Sequence, residues 1–365
     1  MKDIPANDLL DLRLGGFSCA FTFELLDQGW NVIGEMHPQS GATMAMNSTA
    51  TIQRTVRGLV LPESELQDIN IFSDRVLITM RLSDGTSWPM GVFLFTTDVN
   101  KISPTEVVLE TSLVDQGFIL NYPAPNTFGL PEGGSVGKAM EEIVETVGFT
   151  RYNISSTTTQ VYGGPVIYQP ATPAIQILRD LCHRAGFLPP YFDNTGTLIL
   201  RMADSLDPDA GHRYPLSTES RIISNSYSIS THLLEAPNTY KVISSGGNDT
   251  ATISATAFVD PNLPHSKENR GFRITEIISV QGLGSTNDCL AVAQSRARSD
   301  PKNFTTVEFQ SVIDPRHDIF DIIQLGTETF REMSWSTELK SGGLMSHSLN
   351  RRTFNANDTF EQEFQ

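Results

Sequence analysis

Between residues 17 and 120, apolar side chains recur mostly at every second position. They fall in short runs: "FTFELL" (21–26), "WNVIGEM" (30–36), "TATIQRTVRGLVL" (49–61), "DRVLITMRL" (74–82), "WPMGVFLFTTDV" (88–99) and "EVVLETSLVD" (106–115). Runs of this length, rich in β-branched and aromatic residues and broken by "DQG" and "SDG", predict strands joined by turns in an all-β sandwich or barrel. In "RVLITMR", Val76, Ile78 and Met80 take one face and Arg75 and Arg81 the other, because successive side chains of a strand alternate. On this reading Arg54, Arg57, Arg75 and Arg81 point off the core, toward solvent or a neighbouring chain.

The period changes after residue 120. A loop dense in Pro, Gly and Asn, "NYPAPNTFGLPEGGS", leads into "SVGKAMEEIVETVGF", where Val136, Met140, Ile143, Val144 and Val147 recur at helical spacing. A second helix is expected over "ATPAIQILRDLCHRAGF", with Pro173 at its start and Ile175, Leu178, Leu181 and Cys182 on one stripe. "FLPPYFDNTGTLILRM" then reads as a strand, a turn at Asn194-Thr195-Gly196 and a returning strand. From residue 225 the β pattern resumes in "SYSIST", "NTYKVISSG", "TATISATAFV" and "FRITEIISV", and the chain closes with "FREMSWSTEL" and "LMSHSLNRRTF" joined across "KSGG". One helix interrupts that second β region: Ser285 or Thr286 caps it, Asp288 suits its first turn, Leu290, Ala291, Val292 and Ala297 face a sheet, and Asp300-Pro301 stops it. Its expected role is to plug a barrel or cover a sheet edge. These readings divide the chain into a β domain (1–122), an α+β insert (123–224) and a second β domain (225–365) containing the helix at 286–299.

Charge narrows the possible functions. The 365 residues carry 26 Lys and Arg against 42 Asp and Glu, a formal net charge of -16. Such a surface repels phosphate backbones, which excludes sequence-specific DNA binding. No apolar run approaches the roughly 18 residues of a membrane span, and the N-terminus lacks a signal-peptide core. Cys19, Cys182 and Cys289, odd in number and set in apolar or helical contexts, read as reduced, buried thiols.

Four motifs invite chemistry, and each has a plainer reading. Asp314, Arg316, His317, Asp318 and Asp321 in "DPRHDIFD" could form a His/Asp catalytic or metal set. The plainer account is a turn at Asp314-Pro315, Arg316 paired with a nearby acid, and Asp318 and Asp321 as solvated strand ends, since no second histidine lies at ligand spacing. Cys182-His183 cannot be a nucleophile pair, because adjacent helix residues point about 100° apart; a core cysteine beside an exposed histidine is expected. "GLPEGGSVGK" lacks the ending of a phosphate loop and reads as a linker. Glu141, Glu142 and Glu145 read as acids near a helix start. No catalytic residue, cofactor or metal ligand is assigned.

Taken in order, "WPMGVFLF", "AIQILRDLCHRAGFLPPYFDNTGTLIL" and "AVAQSRARSD" followed by "FTTVEFQSVIDPRHDIFDIIQLG" resemble the tail-hub or baseplate-hub proteins of long-tailed bacteriophages. The resemblance covers most of the chain as an order of elements. It implies a mainly β protein in which two tube-type β-barrel or sandwich domains flank a smaller α+β domain. It also implies a homotrimer that offers six quasi-equivalent β units to a six-fold tail tube. The implied partners are distal tail and tail-tube proteins, tip or fibre proteins, and the tape-measure protein and genome DNA passing through the lumen. The implied location is the virion tail tip, after synthesis in the bacterial host cytoplasm. The competing class is a tail-associated cell-wall hydrolase or carbohydrate-binding adhesin; Trp30, Trp88 and Trp335, each read inside a strand, give it little support.

Overall fold

The computed structural model describes residues 19–351 apart from 40, 63–64, 66–68, 83–84, 97–99, 102–107, 125–126, 161–164, 186, 203–211, 215–225, 232–235, 246–251, 282, 284, 300–304 and 327. The expected stop at Asp300-Pro301 lies outside the described residues.

Eight strands form the first segment: β1 (Cys19–Leu26), β2 (Val32–Met36), β3 (Thr43–Asn47), β4 (Arg54–Pro62), β5 (Arg75–Leu82), β6 (Ser87–Phe95), β7 (Asn100–Lys101) and β8 (Val108–Asp115). The middle segment holds α1 (Gly117–Leu120), β9 (Phe128–Leu130), α2 (Val136–Thr146), β10 (Tyr152–Ile154), β11 (Val166–Tyr168), α3 (Ala174–Arg184), β12 (Tyr191–Phe192) and β13 (Leu198–Leu200). The last comprises β14 (His212–Tyr214), β15 (Ser228–Thr231), β16 (Thr239–Ser245), β17 (Ile253–Phe258), α4 (Lys267–Arg270), β18 (Thr275–Gln281), α5 (Thr286–Ser299), β19 (Thr305–Val312), β20 (Ile322–Leu325), β21 (Glu328–Glu338) and β22 (Leu344–Arg351). The alternation in "RVLITMR" is realised: Val76, Ile78 and Met80 are fully buried while Arg81 is exposed. Trp30, by contrast, is outside any strand, at positive φ in the turn between β1 and β2.

Where two β units are expected, one hydrogen-bonded ladder runs through both ends of the chain. Its principal path is β15-β19-β22-β21-β3-β4-β8-β6-β5-β1-β2 within a fourteen-stranded sheet. The join is β21 against β3, antiparallel, with Trp335 opposite Met46 and Thr337 opposite Met44. One apolar cluster accordingly draws on both ends, Met44, Val56, Ile78 and Phe93 packing with Ile313, Ile322, Trp335 and Met345. A smaller cluster around Tyr214, Phe309, Phe330 and Leu349 belongs to the C-terminal strands.

The α+β segment has its own core. Val136, Met140, Ile143 and Val144 on α2 meet Ile175, Leu178, Leu181 and Cys182 on α3 over Leu198 and Leu200. Ser135 caps α2 by accepting from the Lys138 N–H. Glu141, Glu142 and Glu145 therefore sit past the first turn, which contains no acid, so the dipole argument does not explain them; Glu145 instead accepts from the Tyr152 hydroxyl at 2.8 Å.

The helix at 286–299 does not sit in the large sheet. It covers a separate three-stranded sheet, β17-β16-β18, and Cys289 and Ala293 pack on Val242, Ala257 and Val280 in a fourth core. Ser285 caps it, accepting from the Asp288 N–H at 3.1 Å. Ala291 is exposed, a departure from the expected apolar face, because Leu290, Ala291 and Val292 are consecutive and cannot share one side of a helix. The incoming strand β18 belongs to this small module and the outgoing β19 to the large sheet.

The Asn194-Thr195-Gly196 turn locks the α+β segment in place. The Gln116 side chain donates to the Gly196 carbonyl at 2.9 Å and Asn194 donates to the Pro315 carbonyl at 2.9 Å. Gly196 has φ +76°, and an added Cβ would lie 2.8 Å from Val92 Cβ and 3.0 Å from the Trp30 ring. Gly196→Ala should therefore cost about 2 kcal/mol or more. Gly133→Ala, also at positive φ but with open space around it, should cost only about 1–2 kcal/mol. Thermal unfolding followed by tryptophan fluorescence checks this; equal losses in the two variants would refute the docking role.

Candidate functional site

The described residues with the densest buried chemistry lie where β14, β21, β22 and the connection from β19 to β20 converge. His212, Asp314, His317, Glu332 and His347 are each at most 6% exposed. Alternation explains three of them: His212 shares a face with Tyr214, Glu332 with Phe330, and His347 with Met345 and Leu349, all buried. The expected strand ends at Asp318 and Asp321 are instead part of a structured connection. Asp318 N–H donates to Asp321 at 2.7 Å, and Asp318 accepts from the Ile319 N–H at 2.9 Å. Arg316 pairs with Asp314 at 2.6 Å, as anticipated.

Glu332 is the hub of the cluster. Its two oxygens lie 2.7 Å from His317 Nδ1 and 2.9 Å from His347 Nδ1. An ionised carboxylate only accepts, so both rings donate from Nδ1. His317 Nε2 is then left to accept from the Tyr214 hydroxyl at 2.6 Å, and His347 Nε2 meets Ser311 Oγ at 2.9 Å. His212 stacks on His317 with ring centroids 3.7 Å apart and lies 3.4 Å from Asp321 and 3.7 Å from Asp314.

Two triads here, His212/Asp314/His317 and His317/Glu332/His347, bring potential ligand atoms within 4.8 Å of one another. Neighbouring ligands of a tetrahedral ion stand roughly 3.3 Å apart, whereas the Glu332 contacts are at hydrogen-bond length and both nitrogens of His317 and of His347 are engaged. The arrangement therefore suits a proton-sharing network better than a metal cage. Sequence spacing could not reveal it, because the histidines come from separate strands and a loop; polar residues on otherwise apolar strand faces were the available signal.

Electrostatics follow from this packing. Burial and the neighbouring His212 push His317 down to about 4, with Glu332 opposing. Burial alone would raise Glu332, but His347 and His317 hold it at about 2. Burial also opposes ionisation of Asp314, yet Arg316 and the histidines keep its carboxyl well below the usual range. His212 is opposed by burial and nonetheless raised, by Asp321 and Asp314.

Beside the cluster lies Arg54, whose expected outward position is wrong. It is 1% exposed; its guanidinium donates to the Met90 carbonyl at 2.7 Å, meets Asp318 at 3.3 Å and lies 5.8 Å from the Trp335 ring centre. Alternation itself puts Arg54 on the face of Val56. It was the habit of arginine to stay wet that misled, and here Asp318 and a carbonyl supply the partners. Burial pushes Asp318 up to about 7 despite Arg54. Arg57 is exposed, in the stretch where the β4–β8 register shifts. Arg81 is exposed and lies 3.5 Å from Glu24. Arg75 is half-buried over Trp30.

Cys19, Cys182 and Cys289 are buried free thiols, as expected, and burial pushes the Cys182 thiol above its usual range. His183 is half-buried rather than exposed, and burial lowers it to about 4.

The signs of these shifts set a pH response. His317 titrates near 4 in the fold against 6.5 ordinarily, so the unfolded chain takes the proton first and stability drains as pH falls from about 6.5 to about 4. Glu332, at about 2 against 4.5, contributes above 4.5 and loses that contribution between 4.5 and 2. His212, raised, acts in the opposite sense and offsets part of the first loss. Glu332→Gln should lower stability at neutral pH by about 1–3 kcal/mol, the cost of a buried imidazole donor losing its acceptor, and flatten the curve between pH 4.5 and 2. Melting temperature against pH tests this, and parallel curves for variant and wild type would contradict it.

No known sequence family matches the chain, and no curated protein does. Solved structures do. The tail protein from Neisseria meningitidis superposes with a TM-score of 0.64 at 12% identity, over 92% of this chain and 98% of that one. The tail protein of prophage MuSo2 from Shewanella oneidensis gives 0.62 at 13% identity, over 91% and 98%. A prophage tail protein from Listeria monocytogenes gives 0.55 at 9% identity, over 91% and 95%. Nearly end to end, this chain has the fold of these phage tail proteins.

Proposed function

We propose that the chain is a structural hub of a phage tail tip or baseplate. It closes the distal end of the tail tube, docks tip or fibre proteins and forms part of the channel for DNA ejection. The observation that carries this reading is the superposition on the Neisseria tail protein over 92% of this chain and 98% of that one, which leaves almost no part of either fold unaccounted for.

Further features support the reading. Among the described residues, the principal path of the large sheet ends at β2 and β15, with Val32 60%, Ile33 53% and Ile229 50% exposed. Soluble proteins seldom leave apolar edges open, and opposite edges of a sheet suit a head-to-tail contact that closes into a ring. We read the two β segments as two tube-type units around the α+β insert, so that three copies match a six-fold tube. Tail-tube proteins above, tip or fibre proteins below, and tape-measure protein and genome DNA within the lumen are the partners of that ring. The net charge of -16 suits a lumen that passes DNA without holding it. A wall-cutting role finds little support at the buried cluster, since Glu332 and His317 have fully buried side chains and cannot meet a substrate. No described helix is long and apolar enough to cross a membrane.

Native mass spectrometry of isolated tail tips should count three copies; one or six would overturn the trimer. Of the four strand arginines Arg57 and Arg81 are exposed, Arg81 beside Glu24 of its own chain, and these two are assigned to pairing with acids of a neighbouring copy. Arg57→Glu with Arg81→Glu should weaken ring assembly while leaving the monomer folded, and less so near 1 M salt, where screening shortens to about 3 Å. An unchanged ring in the double variant would remove these residues from the interface.

A further inference from the structure

At the seam between the N-terminal strands and the α+β segment, two arginines converge on one tryptophan. The Arg151 guanidinium lies 4.1 Å from the Trp30 ring centre and that of Arg75 lies 5.2 Å from it. Trp30 is held at φ 66°, a conformation a bulky residue adopts only when its surroundings impose it. Together with Gln116, Gly148 and Thr150 these side chains line a cavity of about 50 Å3, room for a few waters or one small anion.

This place combines a cavity with cations that lack a close carboxylate. Among the described residues, no carboxylate lies within 4.0 Å of either guanidinium, although the chain has 42 acidic residues. Asp27 is the nearest candidate, but its carboxylate is turned to its own loop, accepting from the Asn31 backbone at 2.9 Å and side chain at 3.0 Å. Arg75 Nη1 reaches only the Asp27 carbonyl, at 3.4 Å, and its Nε is buried with no hydrogen-bond partner. Desolvation lowers the pKa of Arg75, and the charge of Asp27 opposes that shift without a direct contact. Partly buried cations are ordinarily paired, and planar guanidinium forks match oxyanions in bidentate fashion.

We propose that the Trp30 pocket is a binding site for one small oxyanion, held between the guanidiniums of Arg75 and Arg151. Its two walls come from different parts of the chain, Trp30 and Arg75 from the β segment and Gly148 to Arg151 from the α+β segment, so a bound anion ties the two together. The same chemistry is available from a free tetrahedral anion or from an acidic side chain of a neighbouring protein, and the test separates them.

Calorimetry and thermal melting of the full chain are run with sodium sulfate and with sodium acetate, each against sodium chloride at matched ionic strength. One site per chain is expected, with a rise in melting temperature that chloride does not give. Preference for sulfate assigns the pocket to a free tetrahedral anion, and preference for acetate to a carboxylate side chain. Arg151→Gln should reduce affinity at least ten-fold, Arg151→Lys should weaken it through loss of the fork, and Lys138→Gln, on the exposed face of α2, should leave it unchanged. The proposal falls if neither anion binds the wild-type chain, or if Arg151→Gln binds as the wild type does. The wild-type measurement decides even where a variant fails to fold.

Discussion

Five antiparallel residue pairs, from Ser334 opposite Asn47 to Glu338 opposite Thr43, hold the two ends of the chain in one sheet, and the interior depends on them. Once β21 lies against β3, Met44 and Met46 share a core with Trp335 and Met345. The same pairing delivers the β19–β20 connection to the inner face of β4, where Arg54 meets Asp318 across a sequence separation of 264 residues. Closing so long a loop costs only slowly more as it lengthens, and the apolar area buried on both sides of the ladder offsets that cost.

The charged groups inside this sheet specify geometry more than they add stability. Exchanging a buried ion pair for apolar residues is often neutral, but removing one partner is severe. A slip of β21 by one residue would turn Glu332 to the opposite face and leave His317 and His347 without their acceptor. The register of β21 against β22 is thus tied to the position of the β19–β20 connection, and the bulge in β21 between Glu332 and Ser334 lets one strand satisfy both the histidines on one side and β3 on the other.

The remaining parts are attached rather than fused. The α+β segment has its own core, yet Leu188 and Tyr191 also enter the large-sheet cluster, and the tip of one hairpin docks where only glycine fits against Val92 and Trp30. The module of β16, β17, β18 and α5 has another core, built from small residues such as Ala257, Cys289 and Ala293 that let the helix approach its sheet closely.

Much of this was legible from local pattern. Period-two alternation identified most strands, period-3.6 spacing found α2 and α3, Ser285 announced its cap, and apolar context announced buried cysteines. These signals are properties of a few consecutive residues. Which face of a strand meets which other segment is not, and there the tertiary structure decided. It buried Arg54, because an acid 264 residues away was waiting for it. It gathered His212, His317, Glu332 and His347, whose spacing in the chain carries no trace of their contact. It gave α5 to a small sheet of its own, although its flanking strands looked continuous in sequence, and it held Trp30 in a left-handed turn beside two arginines. In each case the deciding partner lies far along the chain, and only a folded ladder brings it within the few ångströms over which hydrogen bonds and packing act.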